Sequence, residues 1–235
     1  MTRVSDLGEE VEELLDTLRR VERYMRYLDM RASGDAYVTW GIVVAVGCLL
    51  TALVSELGSR LGLPIGPVIG ILWAVLMTIA IAVSSRGWGL LWAFLLAHKP
   101  PEKRERLRRS WRIRGTVLIV DWAGTFVLWG FLSLFVLGGE PGPCWSIYLA
   151  CVGLGNAITY TVHSGEERRM IRESLVVAAV LLACSPLPFL IVLALPGWPW
   201  LSFTVAVLAV IISYLWAGLR FYGKAEAILA GAPEG

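Results

Sequence analysis

Apolar residues are arranged along this chain in two ways. Val4, Leu7, Val11, Leu14, Leu18, Val21, Met25 and Leu28 recur at alternating spacings of three and four. That is the a/d seam of a heptad helix, predicted over residues 4–28. Ser5 or Asp6 can cap its start and Gly34 can end it. Beyond it the pattern becomes continuous. Six apolar runs cover residues 37–54, 63–83, 115–137, 145–161, 175–195 and 200–219. Each is near the ~20 residues that cross a hydrocarbon core of ~30 Å. The pattern predicts an all-α polytopic membrane protein: a six-span bundle, a cytoplasmic N-terminal amphipathic or coiled-coil helix over residues 1–36, and a short polar tail over 220–235. Residues 1–36 are too charged for a signal peptide, so the first run is the expected insertion signal.

Composition agrees with the pattern. Hydrophobic residues make up 57% of the 235, and charged residues only 17%, far from soluble averages. The charges that remain are unevenly placed. Lys and Arg number six before the first run, nine in residues 86–114, three after the fourth run and two after the sixth; the opposite connections hold only Arg60. This asymmetry puts both termini and the 86–114 loop on the cytoplasmic side of the cell membrane. One Asn, no Gln and an excess of Arg over Lys suggest a thermophilic prokaryote as the source.

The basic loop contains Lys103, Arg104, Arg106, Arg108, Arg109, Arg112 and Arg114. Lying between two spans, it reads as a topogenic, lipid-facing segment and not as a nucleic-acid site. Residues 87–97, GWGLLWAFLLA, are too short to span. They either extend the second helix or lie in the membrane interface. The N-terminal segment carries nine acids against six bases, the basic loop two acids against nine bases, so the two are plausible mutual partners, within one chain or between chains.

Motifs of chemistry are scarce. No P-loop, GxGxxG, HExxH or GxSxG occurs, and neither His98 nor His163 has a second ligand at metal spacing. No catalytic residue, metal or cofactor is expected. Cys48, Cys144, Cys151 and Cys184 read as small packing residues. Gly66 and Gly70 form a GxxxG, which lets helices approach closely.

Asp121 is the one acid inside a predicted span. Ionisable groups at membrane depth are costly and usually face the bundle interior. Thr125 is one turn above it. Asn156 on the returning span should lie at similar depth, with Tyr160 one turn below. These four are expected to meet as one polar cluster, with Asp121 facing the bundle and within hydrogen-bond reach of Asn156, Tyr160 or another buried polar group. In the fifth run, Pro186 and Pro188 should break the helix.

Two functions fit. The first is a non-enzymatic scaffold or regulatory membrane protein whose heptad helix, residues 4–28, binds a cytoplasmic partner or a second copy. The alternative is a small transporter or channel subunit using Asp121 as a proton or cation site.

Overall fold

The computed structural model describes residues 2–62, 65–97, 101–138, 140–163, 168 and 171–231. It is all-helical among these. Helix α1 covers Thr2–Leu61, α2 Ile65–Ala97, α3 Pro101–Phe131, α4 Pro141–Val162, α5 Arg172–Cys184, α6 Leu187–Ala194 and α7 Pro199–Leu229. A π-helical turn, Leu132–Val136, continues α3. By length and composition, four helical stretches among the described residues can cross a membrane: Val11–Gly58, Pro67–Gly89, Arg172–Ala194 and Pro199–Leu229.

The helix ends follow from local chemistry. Gly62 takes φ +65° after α1 and Gly138 takes φ +60° after the π turn; both conformations suit glycine at a helix C-terminus. Prolines open α4, α6 and α7 in the first turn, where a missing N–H costs nothing.

Helix α7 is the centre of the bundle. Its residues Ala206, Val210, Tyr214, Ala217, Phe221, Ala225 and Ile228 are buried at helical spacing. They pack on α1, α4, α5 and α6. Leu149 and Val152 of α4 and Val177 and Leu181 of α5 complete the core. Helix α2 lies against α1, and α3 against α4. Much of the outer surface is apolar: Ile71, Ile119, Phe135, Leu193 and Ile212 are all exposed, as lipid-facing residues are.

Gly34 does not end the first helix. It lies inside α1, which runs unbroken from the heptad into the first apolar run. A glycine there serves close packing. A Cβ at Gly34 would stand 2.8 Å from the Tyr222 ring, and one at Gly218 would stand 2.5 Å from Val38 Cγ2. The two glycines face each other where α1 crosses α7, each within 3.2 Å of the other's carbonyl when given a Cβ. Small residues at a membrane-helix crossing act in this way. The GxxxG glycine Gly70 instead meets nothing within 4 Å.

Residues 87–97 continue α2 as helix to Ala97. Gly87 lies against Ala32 of α1, and Trp73 against Gly47, so the two helices run antiparallel and the end of α2 accompanies the heptad segment.

The same substitution at two glycines separates crossing from surface. Gly218→Ala is expected to cost about 1–3 kcal/mol by overpacking, read as a fall of several degrees in the detergent unfolding midpoint. Gly70→Ala should leave the midpoint unchanged or slightly higher. Equal midpoints for the two variants would refute the crossing.

Candidate functional site

Four helices meet at one buried hydrogen-bonded network. The Tyr37 hydroxyl of α1 donates to Asn156 Oδ1 of α4 at 2.9 Å and lies 2.7 Å from Ser174 Oγ of α5. Since the Tyr37 proton goes to Asn156, Ser174 is the donor to Tyr37. Asn156 Nδ2 donates to the Tyr214 hydroxyl of α7 at 3.0 Å and to the Val152 carbonyl at 2.9 Å. Asn156, Ser174 and Tyr214 are all buried. Tyr37 also packs on the rings of Tyr214 and Phe221, with centroids 5.1 and 5.5 Å away. A buried polar group without a partner is expensive; here each supplies its neighbour's missing bond.

An ionic layer adjoins the network. Glu173, next to Ser174 and only 8% exposed, accepts from Lys224 Nζ at 2.7 Å. The Tyr222 hydroxyl donates to Asp35 Oδ1 at 2.6 Å. These two bonds tie α7 to α5 and to α1. Sequence reasoning missed Tyr37, Ser174, Tyr214 and the Glu173–Lys224 pair. Its depth argument reached only α3 and α4.

The four residues expected to cluster do not form one hydrogen-bonded group. Trp122, beside Asp121, packs on Gly155, beside Asn156, so the two polar residues lie at a similar level. Asn156 nevertheless turns toward α1 and α7. Asp121 is half-buried, and its Oδ2 is buried without a hydrogen-bond partner. Thr125, one turn on, is buried. Tyr160 carries the Arg168 guanidinium over its ring at 5.5 Å.

The prolines divide α5 from α6. Pro186 has no N–H for the Leu182 carbonyl, which accepts instead from Ser185 N at 3.3 Å and Ser185 Oγ at 2.8 Å. Phe189 N, displaced from its helical acceptor, donates to Ser146 Oγ of α4 at 3.0 Å. Pro188 is buried at this joint. The break is thus satisfied by protein groups, as irregular backbone at membrane depth must be.

On α1, residues 11–20 are all exposed, whereas Val21, Met25 and Leu28 are half-buried. The side chains of Val4 and Leu7 lie outside the described residues, as does that of Arg106. Arg20 Nε bonds Asp16 Oδ2 at 3.1 Å and, chiefly through that bond, holds the Asp16 carboxyl below its usual range. Lys103, Arg104, Arg108, Arg109 and Arg112 are exposed along the first half of α3, with Arg114 half-buried.

Compared with family models, with curated proteins and with solved structures, the chain matches none.

The network makes a measurable prediction. Tyr37→Phe should cost about 1 kcal/mol, in the range of interhelical hydrogen bonds in membranes. Ser174→Ala should cost a similar amount, and the double variant clearly less than the sum, because both remove the same bond. Strict additivity in detergent unfolding would show that the pair is uncoupled.

Proposed function

We propose that this chain is a six-span protein of the cell membrane, non-enzymatic, whose working surface is the N-terminal half of α1. Through it the protein holds a cytoplasmic partner or a second copy, as a scaffold or regulatory component. The observation that carries this reading is the exposure of Val11, Leu14, Leu15 and Leu18 on a helix continuous with a membrane-crossing one. Apolar seams left in water mark interaction sites.

The six spans are supported by three helical hairpins: α1 with α2, α3 with α4, and α5–α6 with α7. Their tips lie at residues 62–64, 137–140 and 195–198. Of the 21 basic residues, only Arg60 flanks a tip. The other ends hold the rest, which supports cytoplasmic termini and a cytoplasmic 86–114 loop.

A second reading rests on a separate observation. The unpartnered Oδ2 of Asp121 is the mark of a carboxyl that holds a proton or meets a cation. Under it the protein is a small transporter or channel subunit.

Removing residues 2–20 separates the two. Under the first reading the truncated protein keeps its unfolding midpoint, because residues 11–20 are all exposed, yet loses its association in nanodiscs. Unchanged association would sink that reading. Under the second, proteoliposomes carry a proton or cation flux that Asp121→Asn abolishes and the truncation spares.

A further inference from the structure

We propose that the free seam of α1 zips against α1 of a second copy as a short parallel two-stranded coiled coil. The inference rests on the reading of α1 as the interaction surface and names its occupant.

The geometry first divides the seam in two. Gly87 of α2 sits against Ala32 of α1, and α2 runs ten residues further, to Ala97. Along an antiparallel neighbour, ten residues back from Ala32 is Glu22. The exposure changes near that point: Val21, Met25 and Leu28 are half-buried, while Leu18, Leu14 and Val11 are 55%, 61% and 53% exposed. The near half of the heptad is therefore used inside the chain, and the far half projects beyond the end of α2. At about 1.5 Å per residue the projection is roughly 30 Å.

The free half suits a copy of itself. Val4, Val11 and Leu18 fall at a; Leu7 and Leu14 fall at d. Two of these three a positions are β-branched, and β-branched residues at a with Leu at d favour two parallel strands. In that arrangement Glu10 faces Leu15 of the other copy and Thr17 faces its Glu22, so no like charges oppose across the seam. Asp6, Glu9, Glu12, Glu13 and Asp16 fall at b, c and f and point outward.

Continuity of the helix fixes the orientation. Charge alone would favour an antiparallel pair, because acids fill the first half of the segment and arginines the second. Two copies inserted the same way in one membrane cannot adopt it, since each α1 rises from its own span without a break. About two heptads would hold soluble chains together only weakly. Confinement to one membrane supplies the effective concentration that makes so short a zipper sufficient. The acids also disfavour laying this face on an anionic bilayer.

Cysteines introduced one at a time into the full chain, in native membranes, test the proposal. Leu14→Cys places thiols at d, within disulfide reach across a parallel pair; Asp16→Cys places them at f, on the outside. Mild oxidation should convert Leu14→Cys to a covalent dimer at least about fivefold more than Asp16→Cys, with the unsubstituted chain as control for its own four cysteines. Both positions are exposed, so neither variant endangers the fold. Equal or absent coupling at the two sites overturns the zipper. If a cytoplasmic partner is still lost on removing residues 2–20, only the zipper fails; if nothing is lost, the interaction reading fails with it. A fluorophore on the introduced thiol that reports an apolar setting in vesicles without coupling would give the face to lipid and likewise overturn the proposal.

Discussion

Polar groups at membrane depth must find their partners within the protein, and this requirement shapes the bundle. Asn156 is the point where it is most acute. It is 1% exposed, and its amide has a donor side and an acceptor side to satisfy. The solution draws Tyr37, Ser174 and Tyr214 from three other helices. Their rings and backbones then fix how α1, α4, α5 and α7 sit together. The close glycine crossing of α1 on α7 lies one turn from Tyr37 and one turn from Tyr214, so packing and hydrogen bonding constrain the same joint. The same rule governs the proline break, where Ser185 supplies the donor that Pro186 lacks and Ser146 accepts from the Phe189 N–H.

The unbroken α1 changes the electrostatic picture. From the sequence, the acidic N-terminal segment of residues 1–36 and the basic segment of residues 86–114 look like mutual partners; of the latter, Gly87 does lie against Ala32 of α1. In the structure, residues 11–20 are exposed and not docked on α3. Distance along the helices supplies the reason. Taking residue 37 as the membrane edge on α1 and residue 114 on α3, Asp16 stands about 30 Å out and Lys103 only about 16 Å. Helices rising from one membrane keep these charges at different heights, within a chain or between copies.

Helix class, the apolar runs and the split at Pro186 were legible because each rests on local chemistry: periodicity, run length, a missing N–H. Gly34 misled because a glycine after a heptad resembles a helix end; its role depends on Tyr222 and Gly218, almost 190 residues away. Asn156 was legible as a polar residue at depth, but its partners were sought only within its own hairpin. The same depth argument carried to every span would have found them. Tyr37 opens the first run, Ser174 precedes the fifth, and Tyr214 stands about as far from the end of the sixth as Asn156 from the end of the fourth. What depth cannot give is the direction in which each side chain turns. That is why Asp121, at the level of Asn156, stays outside the network.

The contrast between those two residues separates structure from chemistry. Around Asn156 the proton directions are consistent from Ser174 to Tyr37 to Asn156 to Tyr214, and the amide uses both sides. The network joins four helices through one chain of bonds, and its contribution is rigidity. Tyr37 lies on the same continuous helix as the projecting seam, 15 residues beyond Glu22, where that seam leaves α2. It belongs to a joint held by Asn156 and Ser174, with Glu173–Lys224 and Asp35–Tyr222 beside it. Asp121 has the opposite character: a buried oxygen with no bond and a half-exposed side chain. Asp121 therefore lies apart from the bonds that join α1, α4, α5 and α7.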